Sequence, residues 1–168
     1  MNLLPVAEAL NRFLSRAKPV AASETLPLAE AEGRVLAVDL TAGLTQPPFN
    51  ASAMDGYALR REDAPEPGAV LRVIGTSSAG HGFEGSVGQG EAVRIFTGAP
   101  VPPGADSVLL QEDAEKIEGG IRTNFPVRQG QHVRPRGQDF AEGEAVLSAG
   151  TVLDFSRHSA EPRFHLVE

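Results

Sequence analysis

Glycine and proline cut this chain into short pieces, and that punctuation limits the fold more than any other feature of the sequence. Eighteen glycines and thirteen prolines are spread through 168 residues, above the usual shares of roughly 7% and 5%. Short apolar runs stand between them, at 25–28, 35–40, 70–74, 92–96, 107–110, 121–125, 145–147 and 151–153. The separators are turn formers: Glu32-Gly33, Pro67-Gly68, Gly80-His81-Gly82, Pro103-Gly104, Glu118-Gly119-Gly120 and Glu142-Gly143. Runs this short and so bounded predict strands joined by hairpins. The Gly-rich stretch 80–90 reads as a loop or wide hairpin. The expected class is mostly β with a few helices, an α+β arrangement. The clearest helix covers residues 5–18, where Val6, Ala9, Leu10, Phe13, Leu14 and Ala17 make one apolar stripe. Pro5 suits its first turn, Arg16 and Lys18 its last, and Pro19 stops it.

Charge and composition exclude several functions. A net charge of −7 argues against a nucleic-acid binder that relies on a general basic field. The chain has no cysteine, so disulfides, thiolate metal sites and cysteine nucleophiles are absent. His81, His132, His158 and His165 lack close metal-ligand spacing. Glu8, Asn11 and Arg12 interrupt any apolar signal core near the N-terminus, and no window approaches eighteen apolar residues. A cytoplasmic protein without a membrane span is the expectation.

Three stretches could carry chemistry. Pro47 to Leu59, P-P-F-N-A-S-A-M-D-G-Y-A-L, looks built to hold Asp55 at a fixed place beside Gly56, where another group can approach closely. It contains Ser52 and the only tyrosine, Tyr57, and its Phe49 looks buried. Arg94 to Asp106 ends a strand at Thr97-Gly98. A threonine hydroxyl and a glycine N–H there would cradle a phosphate-like oxyanion; a tight turn with Asp106 as a turn residue is the plainer reading. Val133 to Gly143 presents Arg134 and Arg136 as guanidinium forks for phosphate or carboxylate. Alternation would put both on one face of a strand that Pro135 confines to an edge. A solvated edge with an Arg–Asp pair is the alternative. Asp55 and Asp139 are candidate oxygen ligands for a divalent cation. Glu112 is either a third acid or an ordinary strand-end charge.

Taken in order, S-A-M-D-G-Y-A, T-G-A-P-V-P-P-G-A-D and R-P-R-G-Q-D resemble the N-terminal half of the molybdopterin molybdenumtransferase family, which includes bacterial MoeA and the E domains of gephyrin and of the plant molybdenum insertase. The resemblance runs from the first helix to about Leu153. It implies insertion of molybdenum from molybdate into adenylylated molybdopterin with release of AMP, aided by a divalent cation such as Mg²⁺. It implies elongated homodimers with bifurcated β-sheets, and a cleft shared with a large α/β domain of the other subunit. Residues 1–22 would then be a stranded helix of that α/β domain, exposed or packed on another copy. Residues 23–41 with 143–153 would form a small β domain, and 42–142 a second, mostly β domain. Carried over by position, Asp55, Thr97 and Asp139 line the cleft. Asp55 and Asp139 would orient the metal or leaving phosphate, and Thr97 would bond an oxyanion. Ser52, Gly56, Gly98 and Arg136 are further substrate-binding candidates. Gln138 replaces the acid of the family's G-E-D motif.

Residues 154–168 do not match the resemblance and lack a clean period. They read as a truncation or a shifted frame, and the α/β domain does not follow. The expectation is half an active site without insertase activity alone, completed by a separately encoded C-terminal half. A non-catalytic binding or dimerisation module is the alternative. Molybdopterin adenylyltransferase is the expected pathway partner.

Overall fold

The computed structural model describes residues 4–18 and 22–154; the expected tail anomaly therefore lies, apart from Asp154, outside the described residues, as does Pro19. The described chain contains one α-helix, α1 (Val6–Leu14), and ten strands. These are β1 (Leu40–Thr41), β2 (Ala51–Ser52), β3 (Gly56–Leu59), β4 (Val70–Ser77), β5 (Glu91–Ile95), β6 (Ser107–Leu110), β7 (Ala114–Ile117), β8 (Gly120–Thr123), β9 (Val133–Arg134) and β10 (Ala145–Leu147). The mostly β expectation holds, with one helix and three single-turn 3₁₀ segments in place of a few helices. The run 25–28 is not a strand; a 3₁₀ turn begins at Leu28. No helix among the described residues is long and apolar enough to cross a membrane.

The main sheet has six strands in the order β6-β3-β5-β4-β8-β7. Its centre is covered on both faces. Tyr57, Leu59, Leu71, Ala92, Leu109, Ile121 and Val127 form one core cluster, and Ala58, Ile95, Ala99 and Val108 another. Burying a large apolar side chain of this kind contributes roughly 1.5–3 kcal/mol, so these faces hold most of the fold's apolar stabilisation. Covering both faces also removes the alternation that marks a half-exposed strand, as in fully buried β3. β4 and β5 run parallel. Of the loop and the wide hairpin expected at 80–90, the loop is what forms: the stretch between them is a crossover, because only antiparallel neighbours can be joined by a simple turn. The expected turn at Glu118-Gly119-Gly120 does close the β7–β8 hairpin.

Two small ladders join distant segments. β2 pairs with β9, Ala51 opposite Arg134. β1 pairs with β10, Leu40 opposite Leu147, and Val35 bridges Val152.

The helix is shorter than its apolar stripe. Pro5 is the N-cap rather than a first-turn residue, and α1 ends at Leu14. Beyond it, Arg16 and Ala17 donate their N–H groups to the carbonyls of Phe13 and Leu14, and the Ser15 hydroxyl donates to the Arg12 carbonyl. Such i→i−3 bonds tighten and finish a helix end. Among the described residues α1 buries none of its stripe, with Val6 85% and Phe13 81% exposed.

Candidate functional site

Asp55 sits in the bend between β2 and β3, where the chain turns into a central strand. Its Oδ1 accepts both the backbone N–H of Thr97 at 2.8 Å and the Thr97 hydroxyl at 2.7 Å. Its carbonyl accepts the N–H of Gln111 at 3.1 Å. The Thr97 backbone bond, then the Thr97 hydroxyl bond, hold the Asp55 carboxyl below the usual carboxylate range; burial opposes them, and the Arg94 charge adds the smallest lowering effect. This carboxylate is ionised at neutral pH and fixed by two donors.

The Thr97-Gly98 turn is built to serve that carboxylate. Gly98 has φ +80°, the left-handed region that glycine enters without strain. Its N–H donates to the Ser52 carbonyl at 2.8 Å, and the Ser52 N–H donates to the Ala99 carbonyl at 2.9 Å. The donors expected to cradle an oxyanion are thus aimed at Asp55 and Ser52. Ser52 is buried, and its hydroxyl donates to the Met54 carbonyl at 2.6 Å, which fixes the bend. Gly56 is buried too, and the group that approaches it is protein: a Cβ there would lie 1.9 Å from the Leu109 carbonyl oxygen. Ser52, Gly56 and Gly98 form the frame around Asp55. Phe49 is not buried; it is 41% exposed, like Met54 beside Asp55 at 43%.

Asp139 is held differently. Arg134 Nη2 reaches both of its carboxylate oxygens, at 2.6 and 2.8 Å, and the Asp139 N–H donates to Gln46 at 2.9 Å. Arg134 and Arg136 do not share a strand face, because β9 stops before Pro135. Arg136 turns back on the opening segment, with its N–H on Asn50 Oδ1 at 2.9 Å and its Nε on the Pro48 carbonyl at 3.1 Å. The β2–β9 ladder connects the two aspartate turns. Among the described residues no three His, Cys, Asp or Glu side chains gather as a metal site. Asp55 is engaged by Thr97 and Asp139 by Arg134.

Arg94 is the site residue that motif reading missed. Its Nη1 donates to the Gly56 carbonyl at 2.9 Å and its Nη2 to Gln111 Oε1 at 2.6 Å. The signal was a charged residue at the centre of the apolar strand run A-V-R-I-F. The loop 125–132 lines a separate cavity that includes Arg128 and His132. His132 also accepts the Ala53 N–H through its carbonyl at 2.9 Å.

With this geometry in place, residues 4–160 match the family described as MoeA N-terminal region (domain I and II), and the chain belongs to that family. The match runs past Leu153, where the motif resemblance ends. Among curated relatives, the molybdopterin molybdenumtransferase of Haemophilus influenzae is 36% identical over 152 residues, covering 90% of this chain and 37% of that protein. Molybdopterin molybdenumtransferase 2 of Mycobacterium tuberculosis is 39% identical over 137 residues, covering 77% and 33%. The crystal structure of the molybdopterin biosynthesis MoeA protein from Pyrococcus horikoshii OT3 superposes with a TM-score of 0.86 at 36% identity, over 97% of this chain and 44% of that one. The chain therefore spans about a third of the length of the curated relatives it matches.

Proposed function

We propose that this chain works in molybdenum cofactor biosynthesis, forming the Asp55 wall of a site where molybdenum from molybdate enters adenylylated molybdopterin and AMP leaves. The observation that carries the reading is the Asp55–Thr97 pair, two motif residues far apart in sequence and joined by two hydrogen bonds in a member of this family. A carboxylate kept below its usual range is a poor acid at neutral pH. Asp55 therefore serves as a fixed anion that accepts a hydrogen bond or faces a cation, and Thr97 orients it. Asp139, locked on Arg134, supplies a second oriented charge. Mg²⁺, expected from the family resemblance, would take ligands from substrate or another chain, since the donors among the described residues form no cage. The opposite wall of the site would come from the portion of the relatives that this chain does not span, in a homodimer or a separate polypeptide.

The exposed stripe of α1 favours a second reading, a non-catalytic module that docks on another chain. One experiment separates the two. The chain is mixed with the unspanned portion of a relative, and molybdenum insertion is followed with and without Asp55→Asn. Activity in the mixture that falls at least about tenfold in the variant supports the insertion site. Full activity with Asp55→Asn overturns it and leaves the docking module.

A further inference from the structure

Arg94 touches both sides of the Asp55–Thr97 contact. Alternation puts Arg94 and Phe96 on one face at the end of β5, with Tyr57 directly opposite Arg94 on β3. The guanidinium lies over both rings, 5.3 Å from the Tyr57 centroid and 4.7 Å from that of Phe96. One arm holds the Gly56 carbonyl and the other holds the Gln111 side chain, while the Gln111 N–H holds the Asp55 carbonyl. The peptide carbonyls of Asp55 and Gly56 are thus gripped by one connected pair, Arg94 and Gln111. Phe96, under the guanidinium, is the residue before Thr97.

We propose that Arg94, acting with Gln111, is a positioning residue that sets the Asp55–Thr97 pair in register. The planar fork is what the geometry uses: two donors at a fixed angle and a flat cation over two rings. A lysine keeps the charge and loses the fork. The functional meaning rests on Asp55 belonging to the site, as argued above, but the test needs no substrate.

The test reads hydrogen exchange in the full 168-residue chain. Arg94→Lys and, separately, Gln111→Ala are each expected to speed exchange of the Thr97 amide about tenfold, roughly the effect of losing one net hydrogen bond. The Val93 amide, deeper in β5, should keep its parent rate. Gln111 is exposed, so Gln111→Ala carries the test if Arg94→Lys fails to fold. A parent rate at Thr97 in a folded variant, or equal quickening at Val93, overturns the proposal. Because exchange is read without ligand, its failure is distinct from a failure of the insertion assay.

Discussion

The two motif aspartates are held by opposite means. Asp55 stands at the mouth of a central strand and takes neutral donors from a neighbouring turn. Asp139 stands in a turn beyond an edge ladder and takes a guanidinium. The first arrangement is fixed by the backbone of a buried sheet. In the second, the carboxylate meets a guanidinium in a partly exposed ion pair, with side chains 42% and 24% exposed. A carboxylate set by backbone geometry keeps its place when salt or charge changes. One set by an exposed ion pair is tuned by them.

The sharpest way to break this comparison is through the glycines nearby. Gly56→Ala forces β3 and β6 apart at the Leu109 carbonyl and should cost about 3 kcal/mol or more in denaturant unfolding, at the upper end of overpacking effects. Gly137→Ala, two residues before Asp139, meets nothing nearer than Thr45 Cγ2 at 3.4 Å but has φ +74°; turn strain of about 1 kcal/mol is expected. Equal losses would mean that the two turns are equally rigid. Arg134→Gln should cost less than about 1 kcal/mol, and the difference from the parent should shrink as NaCl rises. A salt-independent loss would place Asp139 in the rigid class with Asp55.

Acid sharpens the same contrast. Asp55 has a depressed folded-state pKa, so its contribution to stability is present above the ordinary carboxylate value and disappears as pH falls through the folded value. A carboxyl NMR titration should show Asp55 protonating below the ordinary value of about 3.9, and Thr97→Val should move it back up. An Asp55 midpoint unmoved by Thr97→Val would show that the hydroxyl bond does not hold the carboxylate.

Much of this was legible in the sequence because apolar runs between turn formers are short. β5, β6, β8 and β10 fall on predicted runs, and β4 extends beyond one. β3 has no strand signal in the sequence because G-Y-A-L is buried on both faces and shows no alternation. β7 escaped because A-E-K-I is apolar only at its ends, as suits an edge strand. The parallel pairing of β4 and β5 has no local signal, since partner choice is settled by long-range packing. At the site, motif order brought out Asp55, Thr97 and Asp139 as functional candidates. It did not indicate that Thr97 and Gly98 spend their donors on protein acceptors, because hydrogen-bond direction belongs to the folded turn. Nor did it single out Arg136 as tied to Pro48 and Asn50, leaving Arg134 to pair with Asp139.

The small β1–β10 ladder has a consequence for the order in which the molecule assembles. Leu40 meets Leu147 across a loop that holds the whole six-stranded sheet. Closing so long a loop in an unfolded chain costs entropy that grows with the logarithm of its length, and the few bonds of a two-stranded ladder return little. Once the inner sheet has folded, its own compactness shortens the gap. The ladder is therefore a late fastening. Refolding followed at Leu40 should lag refolding followed at Val93, and simultaneous recovery at the two positions would overturn the order.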